Sequence, residues 1–185
     1  MTIYFGDSTS QSSAGMSSSG GKILQLRSSC KRDVWTSSST GALQISGTDQ
    51  NGSGSVWCVK ITPSSSSSKV YVTGDITLPF ASVNDTSTGI IYRGSTVIGQ
   101  GDAHTGPYGS AVRGSGFSYI ANSLSLPSMT LSFLDSPSST SELTYSFRID
   151  TYNSDTTGIN RTSRDNGGGD GRVTSTITAM EISAY

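Results

Sequence analysis

Few side chains in this 185-residue chain could carry out chemistry, and they do not form a recognisable reaction centre. The single histidine, His104, lies in the glycine-rich segment 99–109, and a Ser-His-Asp triad would need its imidazole. None of the many serines stands in the Gly-x-Ser-x-Gly pattern that presents a nucleophile. One histidine and two cysteines are also too few ligands for an ordinary zinc site. We therefore expect a loop histidine without a catalytic role.

Carboxylates and glycines suggest three further sites, none of which has the full pattern. A pair of carboxylates could hydrolyse glycosides, but the sequence does not fix their separation. The loop 165–170 has oxygen ligands for calcium but lacks EF-hand spacing, so a glycine turn is favoured. Residues 15–22 depart from a phosphate-binding loop, because Ile23 follows the lysine where Ser or Thr is needed. The sequence predicts neither a catalytic residue nor a cofactor, and a depolymerase remains the third hypothesis. The carboxylates considered are Asp75, Asp85, Asp135, Glu142 and Asp150.

One group of aromatic and basic residues is compatible with a binding surface, because its members fall at or beside loop segments. Aromatic faces with nearby arginine and amide or carboxylate groups are used in weak contacts with glycans and proteins. The alternative, that the rings complete the core, stays open. We expect the loops at 99–109 and 166–171 to face outward. Tyr119 belongs to this group, and the candidate outward contact residues are Trp35, Tyr92, Arg93, His104 and Tyr108.

Composition restricts the classes of partner. The net charge is −1 and only 14% of residues are charged, so no basic surface is available for nucleic acid. No apolar run approaches the ~20 residues that span a bilayer, and the first residues lack the pattern of a secretory signal. We therefore expect no nucleic-acid binding and no membrane insertion. Without an export signal, Cys30 and Cys58 are better interpreted as two free, partly buried thiols than as a disulfide.

Alternating apolar residues indicate the fold. Segments such as 143–149 and 129–133 are apolar at every second position, which places one set of side chains in a core and the other in water. No stretch shows a period of 3.6. Ten short strands separated by Ser-, Gly- and Pro-containing turns predict an all-β, antiparallel sandwich or barrel. The predicted strands are 23–27, 42–46, 56–62, 69–77, 89–92, 96–98, 117–121, 129–134, 142–151 and 175–182.

The chain divides into an arm and a body. Residues 1–20 begin with a small apolar tip, Ile3, Tyr4 and Phe5, and continue as a run of Ser, Gly, Gln and Ala that cannot build a core. We predict an extended anchoring arm whose aromatic side chains dock into a neighbouring subunit. The alternative is a frayed terminus. Residues 21–185 form the predicted β-sandwich domain.

Several short segments occur along the chain in an order that is fairly specific as a set. Two of them are Ile-Tyr-Arg-Gly-Ser-Thr-Val-Ile-Gly at 91–99 and Ser-Phe-Leu-Asp-Ser-Pro-Ser-Ser-Thr at 132–140. The others are 3–7, 21–25, 61–69, 143–145, 159–162 and 175–182. Together they resemble a family of tail-fibre-like virion proteins of bacteriophages, common in marine phages. The resemblance covers nearly the whole chain but departs between Cys30 and Val59, where Trp35 and Trp57 lie in a glycine-rich insert.

The resemblance implies a non-enzymatic particle component on the virion surface, made in the host cytoplasm. It implies a β-sandwich of jelly-roll type and a homotrimer, and it carries over no catalytic residue. The partners would be other virion proteins of the capsid or tail, so the protein would be a tail fibre or knob or a head decoration. The alternative function is a module that binds a host-surface glycan or protein.

Overall fold

The structure is a computed structural model that describes residues 2–4, 10–12, 21–77, 85–103, 112–151 and 156–184. Within these ranges the chain forms β-strands and no α-helix, so the predicted all-β class is confirmed. The strands are β1 (Thr2–Tyr4), β2 (Ser10–Ser12), β3 (Ile23–Lys31), β4 (Trp35–Ser37), β5 (Leu43–Gln44), β6 (Val59–Ile61), β7 (Lys69–Thr77), β8 (Asp85–Arg93), β9 (Thr96–Ile98), β10 (Gly116–Ile120), β11 (Ser128–Asp135), β12 (Leu143–Thr151), β13 (Thr157–Ile159) and β14 (Ser175–Ile182).

Two antiparallel sheets face each other as a sandwich. Sheet I has the strand order β11-β7-β14-β3. Sheet II has the order β10-β8-β12, with β5 and β6 both paired along β12 and β9 paired with β8. Two small sheets complete the arrangement, since β4 pairs with β13 and β1 pairs with β2. The predicted antiparallel β-sandwich is therefore confirmed. The boundary between arm and body stays a prediction.

One hydrophobic core lies between the two sheets. On β12, Tyr145, Phe147 and Ile149 alternate inward and are fully buried, as the period of two predicted. Trp57 meets Phe147 edge to face, with ring centroids 6.1 Å apart and an interplanar angle of 81°. Sheet I contributes the facing layer from β7, β11 and β14: Val70, Val72, Ile76, Met129, Leu131, Ile177 and Ala179.

Gly74 shows how tightly the sheets are packed. It occupies an inward position of β7, where its neighbours on the same face are Val72 and Ile76. A Cβ at this residue would lie 2.1 Å from the carbonyl oxygen of Thr176 and 2.9 Å from the Phe147 ring. The glycine therefore leaves the space that the Phe147 ring needs.

Most strand predictions are confirmed, with different bounds. The predicted strand 42–46 shortens to β5 plus a single bridge between Ser46 and Val56, and the strand predicted at 89–92 extends to Asp85–Arg93. The sequence interpretation missed β4 and β13, because three residues are too few to show a period. The structure also pairs β1 with β2 inside the predicted arm, where the sequence interpretation foresaw no strand.

The two cysteines are both free, as favoured from the sequence. Cys58 is buried, but Cys30 is exposed on β3, so the expectation of partial burial is wrong for Cys30. The described part of the chain contains no helix that could span a bilayer.

The core predicts a contrast between two phenylalanines. Phe147→Ala should lower the free energy of unfolding by about 3–5 kcal/mol, because it opens a cavity between the sheets. Phe117→Ala should change it by less than ~0.5 kcal/mol, since that ring is 66% exposed. Urea unfolding followed by Trp57 fluorescence measures both. Equal losses in the two variants would contradict the assignment of the core.

Candidate contact surfaces

Arg93, a predicted outward contact residue, is engaged inside the protein. Its guanidinium donates to both carboxylate oxygens of Asp135, at 2.9 and 2.7 Å, and the Tyr145 hydroxyl donates to the same carboxylate at 2.7 Å. Asp135 is almost fully buried, and burial together with this hydrogen bond raises the pKa of Tyr145. This three-residue group ties the end of β11 to β8 and β12. One guanidinium nitrogen of Arg93 is therefore engaged by the buried Asp135 carboxylate, while the side chain stays 28% exposed.

Tyr92 does not lie on the surface. Its ring is 9% exposed, and the Arg148 guanidinium carbon lies 3.8 Å from the ring centroid in a cation–π contact. Tyr92 points to the outer face of sheet II, which would normally face water. Thr88 and Ile90 on that face are buried too, and Gly114 packs directly against β8. The prediction of an outward contact at Tyr92 is wrong, because the residue is buried and Arg148 stacks on its ring.

The other predicted residues either lie elsewhere in the fold or fall outside the described ranges. Trp35 is half-buried in β4 and packs against the core, so it supports the alternative that the rings complete the core. Ile3 and Tyr4 lie in β1, where their backbones pair with Gln11 and Ser10. Phe5, His104 and Tyr108 lie outside the described residues, and their predicted roles stay predictions.

Glu181 organises the serine-rich loop that precedes β7. Its carboxylate accepts hydrogen bonds from the Ser64 amide at 2.7 Å, the Ser64 hydroxyl at 2.6 Å and the Gln25 amide at 2.7 Å. Burial alone would raise the pKa of Glu181, but these hydrogen bonds outweigh it and lower the pKa to about 2. The buried carboxylate therefore fixes loop 62–68 to sheet I.

The acidic loop 165–170 is held by protein groups. Arg172 and Arg161 both pair with Asp165, and the Arg172 hydrogen bond is the main reason that the pKa of Asp165 is lowered. Asp170 accepts from the Asn166 amide at 2.6 Å and from Arg164 Nε at 3.2 Å. Gly167, Gly168 and Gly169 all have positive φ, which glycine adopts without strain. The favoured glycine turn fits this geometry, and arginines occupy the carboxylates that calcium would need.

The remaining candidate carboxylates lie in different settings. Asp75 accepts a hydrogen bond from the Thr130 hydroxyl on the outer face of sheet I, while Glu142 is exposed just before β12. Burial raises the pKa of Asp150 on the outer face of sheet II. No cluster of three or more metal-binding side chains occurs in the described part of the chain.

An aromatic surface that the sequence interpretation only touched on lies along β10. Phe117 is 66% exposed and Tyr119 is 53% exposed, and both project from the outer face of this edge strand because they are two residues apart. Phe117 borders a cavity of about 290 Å³, together with Asp102 and Arg113. The signal in the sequence was the alternation Phe-Ser-Tyr in a strand with polar neighbours.

No protein-family model matches the chain, and a search of curated proteins finds no match either.

The Glu181 hydrogen bonds predict a specific pH dependence. Because the folded-state pKa lies below the unfolded value of about 4.3, the carboxylate stabilises the fold fully above pH ~5 and progressively less as the pH falls towards 2. Glu181→Gln should cost about 2 kcal/mol at pH 7, and this difference from wild type should shrink between pH 5 and 2.

Urea unfolding at a series of pH values measures this difference. Glu142→Gln is the matched control, because Glu142 is exposed and has no hydrogen bond of this kind. A wild-type–Glu181→Gln difference that stays constant from pH 7 to pH 2 would contradict the assignment.

Proposed function

We propose that this protein is a non-enzymatic structural subunit of a bacteriophage virion, a tail fibre or knob or a head decoration on the particle surface. Two independent lines support the proposal. The ordered segments of the sequence resemble virion proteins, and the fold is an antiparallel sandwich. The structural observation that best supports this proposal is the order of the strands in the two sheets.

We further propose a jelly-roll topology. The strand order supports it, because β3, β14, β7 and β11 form one sheet and β6, β12, β8 and β10 form the other. Along these eight strands the chain crosses between the sheets after β3, β6, β7, β10, β11 and β12, so strands distant in sequence become neighbours. The first of the eight also pairs with the last. Capsid and lectin domains use such double sheets. Since folds host many functions, the strand order supports the proposal by analogy.

The ionic groups of the sandwich fit a building block. Asp135 joins three strands through Arg93 and Tyr145, and Glu181 fixes the loop before β7. Asp49 likewise accepts from the Asn51 and Ser53 amides and pairs with Lys60 at 3.1 Å. Loops fixed in this way keep their shape when a subunit is incorporated, which lowers the ordering cost of assembly.

The arm at residues 1–20 is the proposed attachment to the particle. Tyr4 and Phe5 would be the anchors, because large aromatic side chains dominate small interfaces once they are buried. The proposed partners are capsid or tail proteins, and the proposed body is a homotrimer. Repeated copies would raise the overall affinity by avidity even if each arm binds modestly.

Deletion of residues 2–20 tests the attachment. The truncated body should fold, since the core residues all lie after residue 44, but it should no longer join the particle. Incorporation is measured by quantifying the protein in purified particles. A full-length chain with Tyr4→Ala and Phe5→Ala should show the same loss, whereas Ser12→Ala should not. Full incorporation of the truncated protein would contradict the anchor.

A second candidate function is binding of a host-surface glycan, and the surface along β10 favours it. Exposed aromatic rings stack on sugar faces, and the neighbouring Asp102 and Arg113 side chains supply hydrogen-bonding groups. Arg113 Nε donates to the Gly101 carbonyl at 2.8 Å, which places its remaining donors beside the cavity.

Phe117→Ala tests this second function. It should reduce binding to host cells or purified host polysaccharide about tenfold, a loss of one stacking contact, while leaving the fold intact. Leu124→Ala is the control, because it removes a similarly exposed apolar side chain away from β10. Unchanged binding in Phe117→Ala would exclude this surface. Release of reducing sugar from the polysaccharide would instead favour the depolymerase hypothesis.

A further inference from the structure

The outer face of sheet I carries three rows of side chains that run across all four strands. Strand register places one residue from β11, β7, β14 and β3 in each row. We define the apolar row as Leu134, Tyr71, Met180 and Leu26. The first hydroxyl row is Ser132, Thr73, Thr178 and Ser28, and the second polar row is Thr130, Asp75, Thr176 and Cys30.

These twelve residues are accessible. Leu134 is 46% exposed and Leu26 is 54% exposed, while Tyr71 and Met180 between them are half-buried. The apolar row is therefore a continuous band of side chains that are fully or partly exposed to solvent in the single chain. Leu24, 48% exposed, extends this band along β3.

The same face has little net charge, because it carries one acidic and one basic side chain: Asp75 and Lys69, which lies two residues before Tyr71 on β7. Asp75 is the one carboxylate among the twelve residues, and the Thr130 hydroxyl donates to it. The hydroxyls of Ser28 and Thr178 lie 3.0 Å apart and bond to each other. Side chains that pair within their own rows need few hydrogen bonds from a partner, so burying this face leaves few polar groups unsatisfied.

We propose that the outer face of sheet I packs against further copies of this chain and is the homotypic interface of the assembled body. Neutrality argues for a second copy: a face without a charged patch meets no like-charge repulsion when it approaches itself, and it offers nothing for an oppositely charged partner to select. This interface would belong to the proposed virion subunit, and the expected number of copies, three, rests on that proposed function.

The dimensions of the face agree with self-association. Four strands about 4.8 Å apart and eight residues of about 3.4 Å each span roughly 20 Å by 27 Å, or about 500 Å² in projection. Side chains roughen this surface, so its accessible area approaches the ~800 Å² that each partner buries in a specific interface. Assembly through this face would also cover the Leu26 side chain of β3, which is 54% exposed in the single chain.

Cys30 provides a native reporter, because it is exposed on this face at the outer strand. Cys58 provides an internal control in the same molecule. It is 4% exposed and burial raises its pKa, so it reacts only when the protein unfolds. The relative labelling of the two thiols thus separates coverage of the face from unfolding.

The experiment measures the rate of maleimide labelling of Cys30 in the full-length protein from 0.1 to about 100 µM, alongside mass by light scattering. At a concentration where about nine-tenths of the chains are assembled, Cys30 should label about tenfold more slowly than in the dilute protein, while Cys58 stays unlabelled. Leu26→Lys and Leu134→Lys place a charge at either end of the apolar row and should abolish both the oligomer and the protection. Leu124→Lys, a leucine of similar exposure off this face, should leave both unchanged.

Three outcomes would overturn the inference: a monomer throughout the range, an oligomer in which Cys30 labels equally fast at all concentrations, or an oligomer that tolerates Leu26→Lys and Leu134→Lys. A dimer with protected Cys30 would support the interface and contradict the proposed trimer. A protected oligomer that is absent from phage particles would contradict the proposed function alone.

Discussion

The burial of one apolar layer between two sheets is the constraint on which the rest of this protein depends. Phe147 and Trp57 occupy the centre of that layer, and Gly74 leaves the space for the Phe147 ring. Because side chains alternate along a strand, the neighbours of each inward residue point to the outer face. Buried polar groups lie at the ends of this layer, where Asp135 and Glu181 accept the hydrogen bonds that a buried carboxylate needs.

The alternation of residues was sufficient to predict the strands and their class, but not what covers each face. The period alone indicates that Leu143–Ile149 is half-buried, and its inward residues Tyr145, Phe147 and Ile149 are fully buried. Tyr92 points to the outer face of sheet II, yet it is buried and Arg148 of β12 stacks on its ring, a contact between distant segments that no local pattern reports. Arg93 is separated from Asp135 by 42 residues, so this ion pair could not be predicted from the local sequence either. The three-residue strands β4 and β13 are too short to show periodicity.

The two sheets differ in their outer faces, and this difference separates the proposed roles. Sheet I presents rows of apolar and hydroxyl side chains with one carboxylate and one lysine, which suits contact with copies of the same chain. In sheet II the outward residues of β8 are buried, whereas Phe117 and Tyr119 on β10 are exposed. We propose that one side of the sandwich builds the assembly while the edge of the other is left for contacts with the outside. The arm would connect this body to the particle.

The central proposal is that the protein is a virion component. It is tested most directly by measuring the number of copies in purified particles. If the proposal holds, a bacteriophage encodes the chain, and quantitative mass spectrometry of its purified particles compares the peptides of this chain with those of a major capsid or tail protein. The account predicts a fixed ratio between preparations that corresponds to several copies per particle. A protein that is abundant in infected cells but falls below one copy per purified particle would contradict it.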